Sequence, residues 1–104
     1  MAIEDNYGKD QYYIVRGDRS GVFFGNIKER DGREVTIANC RCIHYWEGAA
    51  SLLQMMRDGV ARPEDCRFTV TVSELAILDA IEILPCTEKA RDCILGVTEW
   101  KIVG

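Results

Sequence analysis

Residues 40–46, CRCIHYW, put two thiols, the chain's only imidazole, a guanidinium and two aromatic rings into seven consecutive positions. Three kinds of chemistry could draw on them. The first is metal binding, because Cys40, Cys42 and His44 stand at i, i+2 and i+4 and would project from one face of a strand. Structural zinc needs a second ligand pair at about two- to four-residue spacing, whereas Cys66 and Cys86 each stand alone. No metal is therefore expected. With Cys93 the cysteines number five, an odd count without a secretory leader, which speaks against a disulfide framework. They read as free thiols packing as small apolar groups.

The second is catalysis. A histidine acting as general base needs a nucleophile and an orienting partner. The chain contains no G-x-S-x-G, H-E-x-x-H, P-loop or G-x-G-x-x-G to supply them. His44 is read as structural, and neither an enzyme nor a cofactor is expected.

The third is the capture of a flat anion. Arg41 and Tyr45 share one strand face, a guanidinium beside a stacking ring, while Trp46 reads as a core anchor. Arg57 closes a helix on the side away from Leu52, Leu53 and Met56. In PCTEKARDC, residues 85–93, Thr87 heads a second helix whose free N–H groups suit one phosphate. Lys89 and Arg91 add positive charge there, and Glu88 and Asp92 partly cancel it. Each feature also has a plain reading as a capped helix with solvated charges.

The elements that position these groups follow from pattern. QYYIVR (11–16) is a strand ending at the turn GDRSG. VFFGNIKER (22–30) is a second, with Gly25 marking a bulge or a close approach. Asp31-Gly32 then predicts a hairpin into REVTIAN, continued by CRCIHYW after a bend near Asn39 or Cys40. EGAASLLQMMRDG carries Ala49, Leu52, Leu53 and Met56 at helical spacing and stops at Gly59. RFTVTVS alternates, with Phe68, Val70 and Val72 on one face. ELAILDAIEILP suits helix or strand, and its β-branched half favours a strand over 77–84. TEKARDCIL is a short helix, and VTEWKIV an edge strand or an extended tail. The expectation is one α+β domain over 11–104, a mostly antiparallel β-sheet with two short helices, behind a flexible tail over 1–10.

Composition narrows the partners. A net charge of −4 argues against extended nucleic acid, which calls for basic excess. Nine of the thirteen cations are Arg, the side chain that forks onto phosphate or carboxylate. No apolar run reaches the length of a membrane span, and MAIEDNYGKD is acidic where a leader would be basic. A cytoplasmic protein is expected.

RSGVFFGNI, RCIHYWEGAASLLQM, FTVTVSE and AIEILPCTEKARDCI, in that order, resemble a family of small proteins encoded by phages and prophages. The likeness spans about residues 12 to 100, with IEILPCTEKA its most specific piece. The chain also looks like the first group of anti-defence proteins acting against the Thoeris system. That resemblance implies an oligomeric sponge in the host cytosol. It would sequester a cyclic ADP-ribose isomer, with cyclic oligonucleotides as further ligands, and would not cleave them. On chemistry, such a ligand would take Arg41, Arg57, Lys89 and Arg91 for phosphate. Phe23, Phe24 and Tyr45 would serve the base, and Asn39 and Thr87 the ribose. The alternative is an accessory protein that inhibits a host protein by direct binding.

Overall fold

The computed structural model describes residues 10–103, so the tail expected over 1–10 lies, Asp10 apart, outside the described residues. The elements run β1 (Tyr13–Gly17), β2 (Val22–Asp31), β3 (Glu34–Tyr45), α1 (Leu52–Asp58), a 3-10 turn at Pro63–Asp65, β4 (Arg67–Phe68), β5 (Val72–Ile77), β6 (Ala80–Pro85) and α2 (Glu88–Leu95). Every strand-to-strand pairing is antiparallel. The class is α+β, as the pattern predicted.

Spatially the strands run β6, β1, β2, β3, and β3 offers its other edge to β5 and then β4. β5 and β6 thus lie on opposite margins, yet only Leu78 and Asp79 separate them. In a flat sheet the margins would stand about 19 Å apart, at ~4.8 Å per strand. Two linking residues span no more than about 11 Å. The sheet must therefore curl until its margins approach.

Asp79 fastens that curl. Its carboxylate accepts the Arg19 N–H at 2.8 Å, the Ser20 N–H at 3.0 Å and the Ser20 hydroxyl at 2.6 Å. The Asp79 carbonyl accepts the Asp18 N–H at 2.8 Å, and the Ala80 N–H donates to the Arg33 carbonyl at 2.9 Å.

Curling creates two cores. Val15, Phe23, Ile27, Val35, Ile37, Cys40 and Ile77 fill the inside of the curl. On the outer face Ile14, Phe24, Ile43, Phe68 and Leu84 pack against Met55 of α1 and Ala90 and Ile94 of α2. β3 serves both cores because it bulges. Asn26 pairs with Ala38 but Phe24 with Arg41, so β3 holds one extra residue there. Asn39 takes it up at φ 52°. The expected bend near Asn39 or Cys40 is this bulge, within one continuous strand. Gly25 faces it, and a Cβ there would lie 2.6 Å from the Ala38 carbonyl oxygen. Both readings of Gly25, a bulge and a close approach, hold.

Several elements differ from the pattern. The helix after Trp46 begins only at Leu52, because Ser51 caps it by accepting the Gln54 N–H. Its buried side chain is Met55, whereas Leu53, expected in the apolar stripe, is 63% exposed. RFTVTVS is not one strand: it breaks at 69–71 and leaves Val70 and Val72 exposed. The break arises where the Thr69 N–H bonds the Cys42 carbonyl and the Thr71 N–H bonds the Glu99 carboxylate. The ambiguous stretch after it holds the end of β5 and all of β6, divided at Leu78-Asp79, instead of one strand over 77–84. The final segment forms no strand of its own; its one ladder contact is a parallel bridge between Phe68 and Glu99.

Candidate functional site

The side chains expected to form one site fall in five places. Phe24 is fully buried in the outer core and stacks on Tyr12 at 4.9 Å, and Phe23 lies in the inner core at 7% exposure. Phe24 offers a ligand no free face, and Phe23 shows only an edge, to the cavity beside Leu75 and Leu78. Arg41 is 3% exposed, and its guanidinium is bonded to the carbonyls of Phe68, Thr69, Ile94 and Val97. Burial holds it below the ordinary arginine value. It has little donor capacity left for a phosphate, which takes it out of the ligand-facing set. Asn39 is exposed, but its amide is bonded to the Asn26 side chain at 2.8 Å.

Arg57, Thr87 and Lys89 do come together, where the end of α1 meets the start of α2. The Thr87 hydroxyl accepts the Ala90 N–H as the cap of α2 and donates to the Arg57 carbonyl at 2.6 Å. Asp58 occupies the junction: Arg57 forks onto it at 2.8 and 3.0 Å, and the Lys89 ammonium stands 3.9 Å away. The Arg57 hydrogen bonds hold the Asp58 carboxyl below its usual value. Arg91 is bonded to Asp92 at 2.9 Å. An anion arriving here would have to displace carboxylates already in place.

Tyr45 stands elsewhere, in a constellation only the tertiary structure assembles. The Arg67 guanidinium lies 5.8 Å from the Tyr45 ring centroid and 5.6 Å from that of Trp100. His44 stacks on Trp100 at 4.9 Å with the rings 16° from parallel. Tyr45 and Trp100 remain 44% and 47% exposed. The Tyr45 hydroxyl donates to Glu47, which raises the phenol's pKa, and Arg62 pairs with the same carboxylate at 2.8 Å. Arg62, Arg67 and Lys101 stand against Glu47 and Glu99, leaving one cation in excess.

Arg67 is the distinctive member. Most arginines here are bonded to a carboxylate or a carbonyl, but among the described residues only aromatic rings hold the Arg67 guanidinium. A planar cation lying over aromatic faces keeps its N–H edge free to fork onto phosphate or carboxylate. The neighbouring ring faces can take a planar group.

The sequence reading picked Tyr45 and matched it with the wrong guanidinium. Arg41 precedes it by four positions but points into the core, and β4 brings Arg67 opposite Tyr45. Trp100 and Arg67 are absent from the expected site, and His44 is read there as structural. The signal for Trp100 is the unabsorbed aromatic in VTEWKIV, but its contacts with Arg67 and His44 span 33 and 56 positions.

Among the described residues no three His, Cys, Asp or Glu side chains gather as a metal site would require. Among the described residues no helix is long and apolar enough to cross a membrane. No curated protein and no solved structure matches the chain. A family model does match, over residues 10–94, and the chain belongs to that family, described as a domain of unknown function, DUF6948.

Proposed function

We propose that the protein is a sponge that binds a cyclic nucleotide signal and holds it without cleaving it. The carrying observation is Arg67, a guanidinium held by the rings of Tyr45 and Trp100 with its N–H edge unspent. A nucleotide would set phosphate oxygens on that edge and its base on the open face of Tyr45 or Trp100. Aromatic stacking contributes about 1–3 kcal/mol per base, and hydrogen bonds between charged groups about 1.5–3 kcal/mol. The phage resemblance adds the ligand class: a cyclic ADP-ribose isomer, with cyclic oligonucleotides as further candidates. Cytoplasmic action as a homo-oligomer, with no cofactor, belongs to the same proposal.

The test is equilibrium dialysis against a panel of these nucleotides, followed by heat release and mass analysis of the ligand. Uptake with intact recovery supports the sponge, and altered ligand would mean an enzyme. Arg67→Ala should weaken binding roughly ten- to a hundredfold. Its melting temperature should stay close to the parent's, since an exposed side chain contributes little to stability.

A second reading, inhibition of a host protein by direct binding, draws on Ile102 and Val103, which are 98% and 86% exposed beside Trp100. Failure of the whole panel to bind would favour it.

A further inference from the structure

Trp100 sits on a segment with no ladder of its own, so something else must hold its ring in place. The Trp100 N–H donates to the Phe68 carbonyl at 2.8 Å, and the preceding Glu99 accepts the Thr71 N–H at 2.9 Å. The same Phe68 carbonyl accepts from Arg41 Nη2 at 3.1 Å. Arg41 Nη1 reaches the carbonyls of Ile94 at 3.1 Å and Val97 at 2.9 Å, where α2 ends and the segment begins. Its Nε bonds the Thr69 carbonyl at 3.1 Å, and the guanidinium lies 5.5 Å from the Phe68 ring centroid. A buried charge usually has a partner of opposite sign. Here no carboxylate is bonded to it, and every bond from the guanidinium goes to β4, to residue 69 just after it, or to the exit of α2. Those are the pieces that flank the Trp100 segment.

We infer that Arg41, with Glu99, is a positioning residue of the aromatic platform: the two latch residues 97–100 to β4 and to residues 69–71 after it, and so hold Trp100 against Arg67 and His44. The inference rests on the platform being the ligand site, but its first readout needs no ligand. Lysine keeps the charge at position 41 but has no planar fork, so it cannot reach four carbonyls around one plane. Glu99→Ala removes the other tie, and with it a negative charge that acts on the buried guanidinium, but keeps all four of its carbonyl partners.

In a Trp46→Phe background Trp100 is the sole indole, since the chain has two tryptophans. Arg41→Lys and Glu99→Ala should each raise iodide quenching of Trp100 at least twofold. Amides of 97–101 should exchange at least tenfold faster, while those of 35–40 in β3 keep the parent rate. Where the parent binds a nucleotide, Arg41→Lys should weaken that binding at least tenfold although Arg67 is intact. Parent-like quenching and exchange in both variants would overturn the latch. So would loss of protection over 35–40 together with 97–101, which would make Arg41 a general folding residue. If Arg41→Lys does not fold, Glu99→Ala decides on the same two readouts. A parent that binds no nucleotide removes the ligand-site reading, and quenching and exchange still decide the latch.

Discussion

Arg41 and Arg67 lie on paired strands, and their surroundings give them opposite capacities. The first is buried and has spent its donors on carbonyls, so it can organise structure but has little left to grip with. The second is exposed and held by rings alone, so it can grip. Burial decides the thiols in the same way. Desolvation pushes Cys40 and Cys86 up to about 12. In the native protein at pH 8 both should resist iodoacetamide for hours and label only once denatured, as read by peptide mass analysis. Their folded pKa values lie above the ordinary 9.0, so the stability these thiols contribute is fully present below pH 9 and is lost as pH rises towards 12. Urea midpoints should therefore fall across that window, and Cys40→Ala should lessen the fall. Rapid native labelling of either thiol at pH 8 would contradict the packing.

At the scale of elements, Thr87 ties the end of α1 to the start of α2 with its hydroxyl, beside its own N–H bond to the Met56 carbonyl and the Lys89–Asp58 pair. Thr87 caps α2 and also donates to the Arg57 carbonyl of α1, whereas Ser51 only caps α1. Losing a cap costs about 1 kcal/mol, and losing a further hydrogen bond about 1 kcal/mol more. Thr87→Ala should therefore cost about 2 kcal/mol in urea unfolding, and Ser51→Ala about 1 kcal/mol. Equal losses would mean that the bond to Arg57 contributes nothing. If the platform is the ligand site, Thr87→Ala should leave nucleotide affinity unchanged. A Thr87 that touched ribose would not.

For the whole molecule, the platform's shape bears on assembly. Tyr45 and Trp100 are each about half exposed, so a ligand laid on them would keep one side in water. Tight small-molecule sites bury roughly 70–90% of the ligand. A second copy closing over the platform would supply the missing wall, and symmetric dimers are the commonest oligomers. Strand addition along β6 is a poorer route, since Glu82 lies on that strand and Pro85 ends it. The protein should therefore be at least a dimer in solution, with Trp100→Glu weakening assembly and nucleotide uptake together. A mass near 11.8 kDa by light scattering at micromolar concentration would overturn this.

The sequence by itself determined whatever depends on neighbours along the chain. Asp31-Gly32 marked the hairpin, Gly59 and Thr87 marked a helix end and a helix start, and runs of β-forming residues marked β1 and β2. These signals are local because turn dihedrals, caps and backbone preferences are set within a few residues. Tertiary structure alone decided the rest. One extra residue at Asn39 exchanges the faces of β3, which sets Arg41 with Ile43 towards the helices instead of with Val35 and Ile37 inside the curl. The two-residue link at Leu78-Asp79 is apparent only once β5 and β6 are seen on opposite margins of a curled sheet. Arg67 meets Tyr45 and Trp100 across separations of 22 and 33 positions, contacts that no spacing rule encodes because β4 and the bridge to Glu99 create them.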